Sequence, residues 1–330
     1  MFKRRVLTFI YVVCSWAGVT KLFYSLNRRR NLILTYHNII PDDLFDDALH
    51  LGVSHRLSEF QRQLDLITAR FQVTTEFLSD EPRSCVITFD DGYQNNVAAA
   101  ECLERKGVRG VFFVPVDSAI SQHTLVIDQV LRWFSYVAPG EYLVDGEYVK
   151  ILDEKRREAY GNFYIWMLRN AELWEKIPKL LDACYPFAEL KKLPVKYLKL
   201  RFQPMGCEEL ARLRAAGHRI GCHSYNHRPL AALPDAEIKA DFEACGAHKE
   251  LFNINAYSYP FGEADEVDNR VIQLCKSFGY SVAVSNIRQH GAGNPMALPR
   301  ESLPQDANRY VLDAKLSGLE AFIKSIIHWL

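Results

Sequence analysis

The 330-residue sequence has no surplus of charge of either sign: 40 lysines and arginines balance 40 aspartates and glutamates. A nucleic-acid-binding domain needs a basic face or stripe, so no nucleic-acid partner is expected. No Cys-x-x-Cys pair occurs among Cys14, Cys85, Cys102, Cys184, Cys207, Cys222, Cys245 and Cys275, which argues against a zinc ribbon. Their scatter and apolar surroundings, as in Ser84-Cys85-Val86, fit buried thiols better than a disulfide framework. Internal repeats and low-complexity segments are also missing. So is an uninterrupted apolar run of the ~20 residues that a membrane span wants. The longest candidate, Val6 to Val19, lies between Lys3-Arg4-Arg5 and Lys21, and Arg28-Arg29-Arg30 follows.

What is present is globular in composition, 48% hydrophobic and 24% charged. Residues 1–30 form a basic-flanked hydrophobic segment, expected to associate with a membrane through residues 6–26. It could do so as an anchor, if Lys21 snorkels, or as an interfacial helix. A signal peptide fits less well, since no small-residue cleavage site follows. The alternative is a helix packed on the domain's own surface, which would leave a cytoplasmic protein.

Beyond residue 30, short apolar runs alternate with amphipathic helices. "NLILTYHNII" reads as a strand. "SEFQRQLDLITA" reads as a helix capped by Ser58, with Phe60, Leu64 and Ile67 on one face. "FQVTTEFL", "CVITF" and "RGVFFVP" read as strands, with a helix over "NVAAAECLERKG" before the last of them. The alternation breaks from about 125 to 202, where the pattern is helical and rich in aromatics, as expected of an inserted subdomain or lid. It resumes with a helix and strand in "CEELARLRAAGHRIGCHS", a helix in "AEIKADFEACGAHKELF", and strands in "AYSYPFG" and "GYSVAVS". Residues 306–330 are expected to form a C-terminal helix, from Leu312, Leu316, Leu319, Ile323 and Ile326 at helical spacing. Repeated β-α units whose strands are apolar throughout imply an α/β fold around a parallel sheet, open or closed into a barrel. In such folds the chemistry lies at the C-terminal ends of the strands.

Two motifs stand at such ends. "CVITFDDG" runs from a strand into the adjacent carboxylates Asp90 and Asp91, whose like charges call for a counter-charge. "RIGCHSYNH" runs from a strand into His223 and His227, four residues apart and able to share one ion. One Asp with two His is a three-ligand set that leaves coordination positions open, as catalytic zinc does. The other Asp is then free to act as a base. Cys222, which alternates to the opposite side of its strand, is expected to pack.

"TFDDG" with "HSYNH", supported by "LTYHNI" and "YPFG", resembles the first two motifs and further segments of the metal-dependent, NodB-type polysaccharide deacetylases over roughly residues 31–305. The resemblance implies a distorted, incomplete (β/α) barrel, here with a helical insertion. It implies one divalent metal ion, zinc by ligand type with Co, Ni, Mn or Fe as options, held by Asp91, His223 and His227. Asp90 would be the general base, with Thr88 and Ser224 as supports. Within the loop of Pro260 and Gly262, the Phe261 backbone N–H would help to hold the oxyanion, with Pro260 beside the substrate. Tyr93, just past the carboxylate pair, could contact substrate or simply pack. The implied reaction is removal of N-linked groups, acetyl above all, from amino sugars of a polysaccharide or a lipid-linked glycan, with a metal-activated water attacking the amide. The basic-flanked N-terminal segment suggests that the substrate lies near a membrane, such as a lipid-linked or exported polysaccharide of a bacterial cell envelope.

The sequence also departs from the family. Ser258 stands where the family places an Arg beside the catalytic Asp, and Arg300 stands where it places a general-acid His. Arginine cannot serve as an acid. Arg300 is therefore expected to supply the charge missing at Ser258 by pairing with Asp90, leaving Asp90 or His37 to return the proton. His290 is a further acid candidate. Two alternatives remain: hydrolysis of a small non-polymeric amide at the same site, and a glycan-binding protein with decayed catalysis.

Overall fold

The computed structural model describes residues 2–45, 54–263, 266–287 and 294–326. In chain order the strands are β1 (Leu32–Tyr36), β2 (Asn38–Ile40), β3 (Ser54–Arg56), β4 (Gln72–Val73), β5 (Ser84–Phe89) and β6 (Val111–Val114), followed by β7 (Gly140–Val144), β8 (Glu147–Ile151), β9 (Arg219–Cys222), β10 (Ala256–Ser258), β11 (Val282–Ser285) and β12 (Leu298–Pro299). The main sheet runs β1-β5-β6-β9-β10-β11-β12, with every neighbouring pair parallel. Just past β12, the Glu301 N–H donates to Ile33 and the Glu301 carbonyl accepts from Thr35, at 2.9 and 3.0 Å. That single bridge links the last strand to the first and leaves a nearly closed barrel. Strands such as "SCVITF" and "VFFV" are buried at every position, as continuous apolar runs between helices should be.

The first apolar run does not stay one strand. It breaks at His37, so that β1 joins the barrel while β2 pairs with β3 in a separate two-stranded sheet. "FQVTTEFL" is a strand only at Gln72–Val73, beyond which the Thr74 hydroxyl accepts from the Glu76 N–H and turns the chain. Ser58 does not cap its helix, which begins at Leu57; its hydroxyl and N–H both bond to Asp42 instead.

The stretch expected to be a helical insertion is mostly helical but also contains the antiparallel hairpin β7–β8. It has a core of its own, in which Trp133, Phe134, Ile151, Phe163, Met167 and Trp174 are buried together. The tail, expected to be one helix, is two, Arg309–Ser317 and Leu319–Ile326, separated by Gly318 at φ 85°. The N-terminal segment is likewise two helices, Phe2–Trp16 and Val19–Leu26, bent by 81° at their break. Leu7, Ile10, Tyr11 and Cys14 face Ala314, Leu319 and Ile323. Tyr24 donates to Asp313 at 3.0 Å, and Asn27 donates to the Ser317 carbonyl at 2.8 Å. Among the described residues no single helix is long and apolar enough to cross a membrane.

Candidate active site

The C-terminal ends of β1, β5, β9 and β10 deliver His37, Asp90-Asp91, His223 and Tyr259-Pro260-Phe261 to one end of the barrel. The turn after β5 is tight. Asp91 and Gly92 both take positive φ, 69° and 63°, and the Asp90 N–H is tied to the Tyr36 carbonyl at 3.0 Å. A side chain on Gly92 would place its Cβ 2.8 Å from Val114. Similar left-handed steps at Ser224 (63°) and His227 (56°) fold the second motif back on itself, with the Ser224 hydroxyl accepting from the His227 N–H at 2.9 Å.

These turns bring Asp91, His223 and His227 together, with one ligand atom of each within 4.8 Å of the others. Asp91 Oδ1 lies 3.3 Å from His223 Nε2 and 3.2 Å from His227 Nε2. It is buried and lacks a hydrogen bond of good geometry. His223 directs Nδ1 at the Ser258 carbonyl, 2.7 Å away, which leaves Nε2 for the cluster. Tetrahedral coordination with bonds of ~2.0–2.1 Å separates neighbouring ligand atoms by roughly 3.3 Å. The donor set and its spacing therefore fit a divalent cation. Burial alone would raise the Asp91 carboxyl, but the two imidazoles outweigh it and hold that carboxyl well below the usual range. Burial opposes charge on His223, while Asp90 and Asp91 beside it raise its proton affinity overall.

Asp90 stands next to this cluster and is held differently. Arg300 grips it in bidentate fashion, Nη1 to Oδ1 at 2.8 Å and Nη2 to Oδ2 at 2.6 Å, with both side chains buried. The Ser258 hydroxyl donates to Oδ2 at 3.1 Å. Ser258 and Arg300 thus meet on the one carboxylate. Burial pushes Asp90 up, yet Arg300 together with His223 and His37 more than compensates and the carboxyl stays below its ordinary range. Arg300 Nη1 also reaches the Thr88 hydroxyl at 3.3 Å, and that hydroxyl donates to the Leu34 carbonyl at 2.8 Å.

A cavity of about 260 Å³ opens onto these groups, lined on the barrel side by His37, Asp90, Asp91, Tyr93, His223, His227 and Phe261. His37 Nδ1 has no hydrogen-bond partner, and burial is the main force that lowers the pKa of this imidazole. The Phe261 ring lies over His227, with ring centres 4.7 Å apart, and touches Tyr164 and Trp174 of the insertion. Pro260, expected at the substrate, is not among the residues lining the cavity. It shapes the loop, its carbonyl accepting from the Gly262 N–H at 2.6 Å so that Phe261 turns to φ 61°. Cys222 is buried in the barrel core. His290 lies outside the described residues.

The remaining wall comes from the insertion: Ile127, Asp128, Leu131, Tyr160, Tyr164 and Arg201. Of these, sequence reasoning marks only Tyr160, as one of the insertion's aromatics that could stack on a sugar ring. A second signal was there: Asp128 is a lone carboxylate within the apolar helix Val126–Tyr136. Asn95 anchors this wall to the barrel, donating to Asn38 at 2.7 Å and to the Leu200 carbonyl at 2.9 Å.

Residues 190–283, which contain the histidine pair and the Pro260–Gly262 loop, match the family model for polysaccharide deacetylase. No curated protein matches the sequence. Among solved structures, a polysaccharide deacetylase from Bacillus cereus aligns with a TM-score of 0.51 at 14% identity, covering 87% of this chain and 68% of its own. IcaB from Ammonifex degensii aligns with a TM-score of 0.50 at 14% identity, covering 87% of this chain and 96% of its own. At such identities the likeness is one of fold, and it includes the barrel described above. The chain thus resembles the polysaccharide deacetylases in sequence over residues 190–283 and shares their fold in its barrel.

Proposed function

We propose that this chain removes N-acetyl groups from an amino sugar, using Asp90 as the base beside a cation held by Asp91, His223 and His227. The observation that carries this reading is the division of labour between adjacent carboxylates. Asp91 faces two imidazoles at 3.2–3.3 Å, while Asp90 is turned to Arg300. A divalent ion at the triad would polarise the amide carbonyl and acidify water. Asp90 accepts the proton of the attacking water, and the Phe261 N–H supports the charge that develops on the carbonyl oxygen. The new C–O bond replaces the C–N bond. The departing amine takes its proton from Asp90 or from His37, giving acetate and a free amino sugar. Arg300 keeps Asp90 ionised and fixed, a positioning role that fits the absence of a histidine at its place. The intact cluster speaks against a binding protein with decayed catalysis.

The size of the cavity favours a compact substrate. At about 260 Å³ it falls below the ~300–1,000 Å³ of sites that enclose drug-sized ligands. A single sugar residue, free or at the end of a glycan, suits it better than the middle of a polymer. We also place the activity at a membrane surface, on the strength of the N-terminal helices. Their inner face is buried, yet Phe9, Val13, Trp16, Leu22 and Leu26 remain exposed beside Arg5, Lys21, Arg28 and Arg29. The reaction is tested by acetate release from N-acetylglucosamine oligomers and monomer glycosides. Release that is lost in Asp90→Asn supports the reading, and release unaffected by that change overturns it.

A further inference from the structure

The insertion places a polar pair on the cavity wall that neither the cation triad nor the base uses. Asp128, on the helix Val126–Tyr136, and Arg201, on the helix Val195–Phe202, are nearly fully buried, and both line the cavity with Asp90, Asp91 and His223. Opposite charges buried together usually close into direct hydrogen bonds. These do not. Arg201 Nη1 is 3.8 Å from Asp128 Oδ1, beyond hydrogen-bond range. Arg201 Nη1 and Nε and Asp128 Oδ2 have no hydrogen-bond partner. Both groups are held in place by other contacts. The Tyr93 hydroxyl donates to Asp128 Oδ1 at 3.1 Å, and the guanidinium lies 5.8 and 5.0 Å from the ring centres of Tyr93 and Phe202.

The gap has the width that one oxygen atom can bridge, at roughly 2.8 Å from each side. We propose that this pair is the recognition site for a hydroxyl group of the sugar being deacetylated, the hydroxyl oxygen accepting from Arg201 and its proton passing a hydrogen bond to Asp128. The proposal rests on the deacetylase reading and deepens it, because it places specificity in the insertion. A hydroxyl is the group that donates and accepts at once. An anionic substituent would meet the Asp128 carboxylate, a cationic one would meet Arg201, and an apolar one would leave both unsatisfied.

The test uses the full-length chain with a divalent ion added, and compares wild type with Arg201→Met and Asp128→Asn. The probes are methyl glycosides of N-acetylglucosamine and N-acetylgalactosamine, with their 3-, 4- and 6-deoxy analogues. KM for the hydrolysed glycoside should rise about 10- to 100-fold in either variant while kcat stays within about threefold, the pattern of lost ground-state binding. One deoxy analogue should show the same rise with wild type and no further rise with the variants, as a shared contact requires. A lower melting temperature is compatible with either role, since each variant leaves the other buried charge uncompensated, so the rise in KM is the readout that separates recognition from a structural role. A fall of several degrees with KM unchanged would make the pair a structural ion pair and overturn the proposal. So would Arg201-dependent preference for a phosphorylated or carboxylated sugar. If wild type releases acetate from none of the glycosides, the deacetylase reading fails for these sugars. Saccharide-induced thermal shifts then decide the pair alone: a shift lost in both variants supports it, and an equal shift or none overturns it.

Discussion

Two buried charges, Asp90 and Arg300, face each other across the barrel end, joined by hydrogen bonds of 2.6 and 2.8 Å. Removing one partner of such a pair leaves the other uncompensated, at a cost of about 3–5 kcal/mol. Arg300→Ala should therefore lower kcat by about 10²- to 10³-fold and reduce the melting temperature. Arg300→Lys should keep part of the activity, because it restores the charge but not the two-pronged grip. Near-normal turnover in both variants would rule out the positioning role. Away from the site, Asp241 offers a pH test. Burial pushes its carboxyl up to about 6, against the pull of the Tyr225 N–H, Arg228 and the Cys245 thiol. The folded state thus binds this proton more tightly than the unfolded chain, whose carboxyl titrates near ~3.9. Stability from this group is complete below about pH 4 and is lost as pH rises through about 6, to the extent of roughly 3 kcal/mol. Asp241→Asn should flatten the fall in melting temperature over that window, as followed by circular dichroism. A fall as steep as in wild type would contradict it.

At the scale of elements, the site depends on turns that L-residues adopt reluctantly. Gly92 combines φ 63° with a close approach to Val114, so Gly92→Ala meets both backbone strain and a clash. Its expected cost is about 2–4 kcal/mol of stability, together with weaker binding of zinc, because Asp91 would be displaced. Calorimetric titration with zinc and a thermal melt check this, and wild-type values for both would contradict it. Such turns also explain what could be read beforehand. "TFDDG" and "HSYNH" are local patterns at strand ends, so the ligand cluster and the barrel strands were legible in sequence. Arg300 was legible only as a residue out of place, which became informative once Ser258 was seen in its own slot. Asp128 and Arg201 were not legible, because their meaning depends on how a separately cored insertion docks over the barrel, and no local period encodes that. The hairpin Gly140–Ile151 and the breaks at Gly18, His37 and Gly318 also went unread. Each of the three breaks lies inside an apolar pattern that continues across it, whereas the hairpin carries a local signal, Asp145-Gly146 at φ 48° and 84° between alternating residues, that the helical reading of the insertion passed over.

For the molecule as a whole, the terminal helices form one surface. Phe9 and Trp16 are 68% and 80% exposed, and Phe322 and Ile326 of the last helix are exposed as well. A helix buried on one face and apolar on the other, with basic residues close by, suits the plane of an anionic bilayer. The chain should sediment with vesicles containing phosphatidylglycerol and much less with pure phosphatidylcholine. Phe9→Ser with Trp16→Ser should reduce the bound fraction severalfold while leaving acetate release in solution unchanged. Equal binding by the double variant would remove this surface from consideration. Barrel and insertion frame a single chemical centre, and the most direct measurement is of that centre. After dialysis against zinc and then metal-free buffer, elemental analysis should find about one ion per wild-type chain, and close to none in Asp91→Ala or His227→Ala proteins that remain folded. An ion content unchanged by either substitution, or no retained ion in the wild type, would contradict the account.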